Sequence, residues 1–305
     1  MDGDVVARAV AALRGGGVVA LPTETVYGLA ADVSRPEAVA RVYAIKGRPA
    51  DHPLIVHVAG LDMLDGYVVE ITPALRALGA RFWPGPLTAI VARGERTPRT
   101  VTGGADTVAV RVPDHPLTLA ILTQLGGAVA APSANRFGRI SPTTAQHVRD
   151  DLGDLVDLVV DGGAAGVGVE STIVDLTGEV PAILRAGAIG ASALGEVLGV
   201  PVVTRVGGSV RAPGTLASHY APRARVVLVE DDARDEEARR RADGGELVAL
   251  LTLPSDPASA ARALYATLRA LDAEGYDTIV ASLPTDTEAN AAVRDRLTRA
   301  AAPRS

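Results

Sequence analysis

The sequence predicts an α/β fold in two units, and three observations carry that prediction. Short β-branched runs alternate with Ala/Leu-rich stretches of helical period along the whole chain. Between residues 87 and 185 the strand runs crowd together, some with no helix between them, which marks a mixed sheet rather than a simple parallel one. After residue 223 the order becomes regular, with three β-α units in succession, and such a run favours a small Rossmann-like parallel sheet. A Gly-, Pro- and Ser-rich stretch without periodicity, VGGSVRAPGTLASHYAP, separates the two. The expected organisation is therefore 1–205, a linker or lid at 206–223, and 224–305.

Each element has a local reason. Helix 4–14 is stopped by three consecutive glycines and followed by strand VVALP at 18–22. Helix 36–46 has Pro36 in its first turn and Ser34 as the expected cap. Strand LIVHV at 54–58 precedes helices near 60–65 and 73–81, then strands at 87–92 and 107–112. Helix 116–125 leads to strand AVAAP at 128–132. Further strands are expected at 156–161, 171–176 and 181–185, with a helix near 190–198. In the second unit, strands 224–230, 246–252 and 277–283 alternate with helices 233–242, 257–273 and 286–301. No GxGxxG follows the first of these strands, so a dinucleotide site is not indicated.

Composition narrows the function. The chain has 305 residues, 48% hydrophobic, enough for a real core, and its length allows two domains at roughly 100–200 residues each. Aromatic residues make up only 3%, which disfavours stacking platforms for single-stranded nucleic acid. Net charge is −6, and residues 1–205 carry 17 Lys and Arg against 21 Asp and Glu, so RNA is not the expected primary ligand and direct tRNA binding should be weak or absent. There is no cysteine, hence no disulfide, thiol nucleophile or Cys-ligated zinc. Five histidines show no paired ligand spacing, and no GxSxG elbow exists. The acidic start lacks the features of a signal peptide and no apolar run is long enough to span a membrane, so the chain reads as a soluble cytoplasmic protein.

Lys46 is the only lysine; the other 29 basic side chains are arginine. Lysine is a compact ammonium on a flexible stem and arginine a wide planar fork, so a lone survivor suggests a position where the fork will not serve. Lys46 and Arg48, with Gly47 between them, make a cationic corner suited to a polyphosphate, although no Walker A loop is present. Four other stretches hold polar groups at strand ends, where α/β ligand sites usually lie. In LPTETVYGLAAD, Thr23, Thr25 and Tyr27 alternate and point to one side if the strand continues. In TVAVRV, Arg111 sits in an apolar strand and needs a carboxylate, phosphate or water. APSANRFGRISPT offers Ser133, Asn135 and Ser141, and a turn of small polar residues can cradle phosphate or be an ordinary turn. DGGAAGVGVESTIVD leads through Glu170, Ser171 and Thr172 into a strand, with Arg185 following.

Taken together, LPTETVYGLAAD, KGRPADHPLIVHV, TVAVRVP, APSAN and ESTIVD resemble the YrdC-type threonylcarbamoyl-AMP synthases over roughly residues 5–200. The linker APGTLASHYAP with a small α/β tail resembles the long, two-domain form. The resemblance implies a twisted sheet around a deep, positively charged cavity, and a reaction in which L-threonine, bicarbonate and ATP give L-threonylcarbamoyl-AMP and pyrophosphate. The product would feed threonylcarbamoylation of tRNA by a separate transferase complex. By resemblance, Thr23, Tyr27, His57, Arg111, Ala131 and Ser171 line the threonine and carbamate side. Lys46, Arg48, Ala50, Thr107, Ser133, Asn135, Ser141 and Arg185 line the ATP side, with Lys46 and Arg48 stabilising the transferring charge beside Mg²⁺ held mainly by the phosphates rather than by the protein. Tyr220, with His219, would close the linker on the nucleotide. The chain departs from the pattern at Asp51-His52, where an asparagine is expected before Pro53, and at Thr215 and Leu216. The competing readings are a double-stranded RNA or tRNA-binding module, disfavoured by charge, and a carbamoyl-adenylate-forming enzyme, whose zinc-finger segments a chain without cysteine cannot supply. A regulatory module that binds ATP without turnover is a third.

Overall fold

The computed structural model describes residues 3–205, 213–214 and 218–303. Thr215 and Leu216, and most of the linker, lie outside the described residues. In chain order the first part is α1 (Gly3–Arg14), β1 (Val19–Leu21), β2 (Gly28–Asp32), α2 (Pro36–Lys46), β3 (Ile55–His57), α3 (Pro73–Phe82), β4 (Leu87–Ala92), β5 (Thr107–Arg111), α4 (Pro116–Leu125), β6 (Val129–Ala130), α5 (Ala145–Leu152), β7 (Leu158–Val159), β8 (Thr172–Asp175), β9 (Ala182–Arg185), α6 (Ala191–Leu198) and β10 (Val203–Thr204). The second part is β11 (Arg225–Leu228), α7 (Arg234–Asp243), β12 (Val248–Leu250), α8 (Pro257–Ala273), β13 (Thr278–Ala281) and α9 (Ala291–Ala301).

The first ten strands form one mixed sheet in the order β10-β9-β8-β4-β5-β3-β6-β2-β1-β7, and the last three form a parallel sheet in the order β11-β13-β12. The mixed character expected from the crowding of strands between 87 and 185 is present: β4 pairs antiparallel with β5 and parallel with β8. One face of β4, β5 and β8 is buried in the main core with Val39 and Val42 of α2 and Leu75 and Leu78 of α3, while α1 and α4 cover β1, β2 and β6 with Leu13, Ile121 and Leu122.

Several local expectations are corrected. Ser34 does not cap α2. Its hydroxyl and amide both bond the Asp32 carboxylate, and Arg35 occupies the cap position without a side-chain bond. The helix near 60–65 is a 3₁₀ turn at Leu61–Leu64. The final helix begins at Ala291, after a 3₁₀ turn at Glu288–Asn290. Strands β2 and β10 and helix α5 were not expected: β2 opens on Gly28 straight after a turn, and α5 is a short polar helix of 8 residues that buries only Ala145, Val148 and Leu152. The chain does not run on as a strand through 23–27; it turns there, and β2 returns antiparallel to β1.

The second sheet is packed onto the first part rather than tethered beside it. Val26, Ile140 and Val169 belong to the same apolar cluster as Leu264, Tyr265, Leu268, Val293 and Leu297. Arg269 of α8 ties the two parts further, bonding Asp151 at 2.5 Å and the carbonyl of Ile140. Among the described residues no helix is long and apolar enough to cross a membrane.

Candidate active site

A cavity opens where the turn after β1, the ends of β3, β5, β6 and β9, and the linker converge. The turn forms because Pro22 ends the strand and the Thr23 hydroxyl accepts from the amides of Thr25 and Val26, both at 3.2 Å, while donating to the Val26 carbonyl at 2.6 Å. Thr25 adds a hydroxyl–hydroxyl contact of 2.9 Å, so both threonines face the cavity from one rigid corner.

His57 and Arg111 sit side by side, since they are directly paired residues of parallel strands β3 and β5. Arg111 is buried and donates to Glu24 Oε1 at 2.6 Å and to the Gly85 carbonyl at 3.3 Å. The carboxylate that its apolar strand demanded is therefore Glu24, from the threonine corner, whose other oxygen accepts from the Asp114 amide. Burial, then the neighbouring Arg111 charge, pushes the His57 imidazole down to about 3. Its Nδ1 lies 3.1 Å from the Ile55 carbonyl. A carbonyl only accepts, so Nδ1 carries the proton of the neutral ring and Nε2 keeps a lone pair.

The other side of the cavity is cationic. Arg48, just past the left-handed cap at Gly47 (φ 64°), lines the wall and donates to the Pro53 carbonyl at 2.9 Å. Burial lowers its guanidinium to about 10. The departure at Asp51-His52 lies in this turn, where the His52 carbonyl accepts from Tyr43. Arg185 at the end of β9 donates to the Ser171 carbonyl and hydroxyl at 3.1 and 3.0 Å and to the linker carbonyl of Pro213 at 3.0 Å. In the sheet order β9 lies three strands from β5, so Arg185 and Arg111 rise from backbones about 14 Å apart. Two separate anionic groups can thus be held on one ligand or two.

The remaining wall is Ala131, Pro132 and Ser133 from the turn after β6, Glu170, and Pro213, Gly214, His219 and Tyr220 from the linker. Tyr220 has φ 62°, in the left-handed region that a bulky residue avoids. It is held there by ring contacts with His219 at 4.2 Å and Tyr265 at 5.7 Å. His219 is buried and, by that burial, lowered to about 3.

Of the expected residues, Thr23, Arg48, His57, Arg111, Ala131, Ser133, Arg185, His219 and Tyr220 come together on this cavity. The others stand behind or away from it. Lys46 is buried beneath the turn after β6, and its ammonium donates to the carbonyls of Ser133 and Asn135. Burial, with Arg48 beside it, lowers that ammonium well below its ordinary range. Asn135 supports the same turn, donating to the carbonyls of Arg136 and Arg139. Ser171 bonds Thr88 and Arg185 and so acts through them. Ser141 donates to Glu170 at 2.5 Å. The Tyr27 hydroxyl turns away to Gly162 and Gly163, because the chain turns instead of continuing as a strand. Ala50 is exposed, and Thr107 begins β5 at the opposite end from Arg111, about 13 Å along the strand. Sequence reasoning gave two carboxylates no role in the site. Glu24 and Glu170 both stand inside the quoted motifs, and a buried acid beside threonine or serine at a strand end was the available signal.

No cluster of three or more His, Cys, Asp or Glu among the described residues could hold a metal ion.

A family model named for Sua5, YciO and YrdC, described as "Telomere recombination", matches residues 11–187. The chain belongs to this family. A second model, "Threonylcarbamoyl-AMP synthase, C-terminal domain", matches residues 189–302. A threonylcarbamoyl-AMP synthase of Pyrococcus abyssi is 39% identical over 94% of this chain and 91% of its own length. One from Bacillus subtilis is 37% identical over 97% of this chain and 92% of its own. The crystal structure of Pyrococcus abyssi Sua5 complexed with L-threonine superposes with a TM-score of 0.93 at 37% identity, covering 97% of this chain and 94% of that one. The two-domain α/β architecture is therefore that of the long Sua5 members of the family.

Proposed function

We propose that this chain synthesises L-threonylcarbamoyl-AMP from L-threonine, bicarbonate and ATP with release of pyrophosphate, supplying a tRNA-modifying transferase. Its support is full-length similarity to proteins of that name, joined to a cavity with well-separated cations. Residues 1–205 act as the catalytic unit, 206–223 as the lid and 224–305 as the second domain, in the cytoplasm.

Arg111 takes the threonine carboxylate, sharing or exchanging its Glu24 partner, and the lone pair of His57 Nε2 accepts from the substrate nitrogen. The amine nitrogen attacks bicarbonate, whose C–O bond breaks to release water and leave a carbamate, and a carbamate oxygen then attacks the α-phosphorus of ATP as the bond to pyrophosphate breaks. Arg48 and Arg185 meet the phosphates and stabilise the leaving pyrophosphate, while Lys46 holds the Ser133 turn against them. The chain supplies no covalent nucleophile, so rate comes from positioning and charge. Glu170, the acid on the nucleotide wall, already accepts bonds at both oxygens, so the donor set suits Mg²⁺ only as an ion carried in by phosphate. Closure of Tyr220 and His219 would keep water from the mixed anhydride product.

The test is pyrophosphate release with each substrate omitted in turn. Release that needs threonine, bicarbonate and ATP together is expected; release without threonine sinks the proposal. Arg111→Gln should weaken threonine use by about ten- to a hundred-fold, the worth of one charge-assisted contact at about 1.5–3 kcal/mol.

A further inference from the structure

Glu170 is an anion on the wall of a cavity that, on the reading above, must accept a triphosphate. Its Oε1 takes the Ser141 hydroxyl at 2.5 Å, and its Oε2 takes the Tyr265 hydroxyl and Arg296 Nε, both at 2.8 Å. Tyr265 belongs to α8 and Arg296 to α9, so among the described residues the second domain supplies two of the three donors and the only formal positive charge in contact with the carboxylate. Arg296 is fully buried, its guanidinium lies 5.0 Å over the Tyr220 ring, and it also bonds Asp295 at 2.6 Å. Burying an ion pair is expensive, and apolar residues would fill such a space as well or better. Stability alone therefore does not account for it.

The electrostatic surroundings say what it does. Glu170 feels Arg185 after Arg296, and Lys46 in turn feels Glu170, so this carboxylate is within electrostatic reach of the cations expected to meet phosphate. Without a counter-charge behind it, Glu170 would neutralise those cations and repel the phosphates.

We propose that Arg296 is a positioning residue for the nucleotide site: it draws the Glu170 carboxylate back toward the second domain and cancels its charge, leaving Arg48 and Arg185 free for ATP. The second domain thus completes the electrostatics of the first. The inference rests on the ATP reading of the cavity. Threonine, held about three strands away at Arg111, should be indifferent to Arg296.

The test measures binding of ATP and of L-threonine to the full chain by calorimetry, alongside thermal melting and pyrophosphate release. Arg296→Gln should weaken ATP binding ten-fold or more and leave threonine binding within two-fold. Adding Glu170→Gln to that variant should restore ATP binding to within about three-fold of the parent, because the unbalanced carboxylate is gone. Tyr265→Phe, which removes one neutral donor and leaves no large void, should weaken ATP binding two- to five-fold; it serves if Arg296→Gln does not fold. A folded Arg296→Gln with unchanged ATP binding, equal losses for both ligands, or a double variant no better than the single one overturns the proposal. So does a Tyr265→Phe with unaltered ATP binding, where that variant has to serve. Failure of the parent chain to release pyrophosphate is instead a failure of the synthase reading, and the two are distinguishable because ATP binding is read separately from turnover.

Discussion

Lys46 shows how a compositional oddity becomes a contact. Its ammonium ends in a narrow buried slot between two carbonyls, Ser133 and Asn135, which a single tetrahedral nitrogen can satisfy. A guanidinium is wider and would have to displace the turn that lines the cavity. Lys46→Arg should therefore destabilise the fold by about 1–3 kcal/mol, the usual cost of overpacking a filled interior, measured as a lower urea midpoint at unchanged slope. An unchanged midpoint would mean the slot can widen. That something distinguished Lys46 was legible in the sequence; that it props up the Ser133 turn from behind was not, because its partners lie 87 and 89 residues away. The same distance hid Glu24 from Arg111. Sequence pattern said that Arg111 needed an anion, and only the turn after β1 decides which.

At the scale of elements, long periodic segments were legible and short ones were not. Helices α2, α4 and α8 and strand β4 begin and end where their Pro, Gly and apolar period put them. Strands β6 and β7 shrink to two residues each because ladder pairing, not β-propensity, sets their ends. Gly168 illustrates how an element is docked. It has φ 82°, and a Cβ there would stand 2.4 Å from the Arg262 Cα in α8. Gly168→Ala must strain the backbone and push α8 away. The expected result is a loss of about 1–3 kcal/mol and faster proteolysis between the two domains. A cleavage rate equal to the parent's would show that α8 is not seated by this contact.

For the whole molecule, three deeply buried groups that titrate below neutrality contribute strongly to how stability follows pH. His57 and His219 are held near 3 when folded, against an ordinary 6.5, by burial foremost. The unfolded chain therefore takes up their protons first, and folding is penalised progressively as pH falls below 6.5. With both counted, the slope approaches about 2.7 kcal/mol per pH unit. Glu170, held near 2 by Arg296 and Arg185 against the cost of its burial, adds stability that is whole above 4.5 and is lost as pH falls toward 2. Chemical denaturation between pH 7.5 and 5 should show the histidine slope, and a flat profile would mean that one or both rings open to water before global unfolding. The two-domain α/β plan was readable from patterning, whereas the pairing across the domains was not, since nothing local marks Arg296 as the partner of Glu170.

That pairing has a bearing on synthesis as well as on catalysis. The counter-ion of Glu170 lies 126 residues further along the chain, in the last helix described. A nascent polypeptide can have its entire ten-stranded sheet outside the ribosome while Glu170 still lacks its Arg296 partner. If Arg296 screens Glu170 as proposed, nucleotide should bind more weakly to the growing chain until the distal helix has emerged and docked.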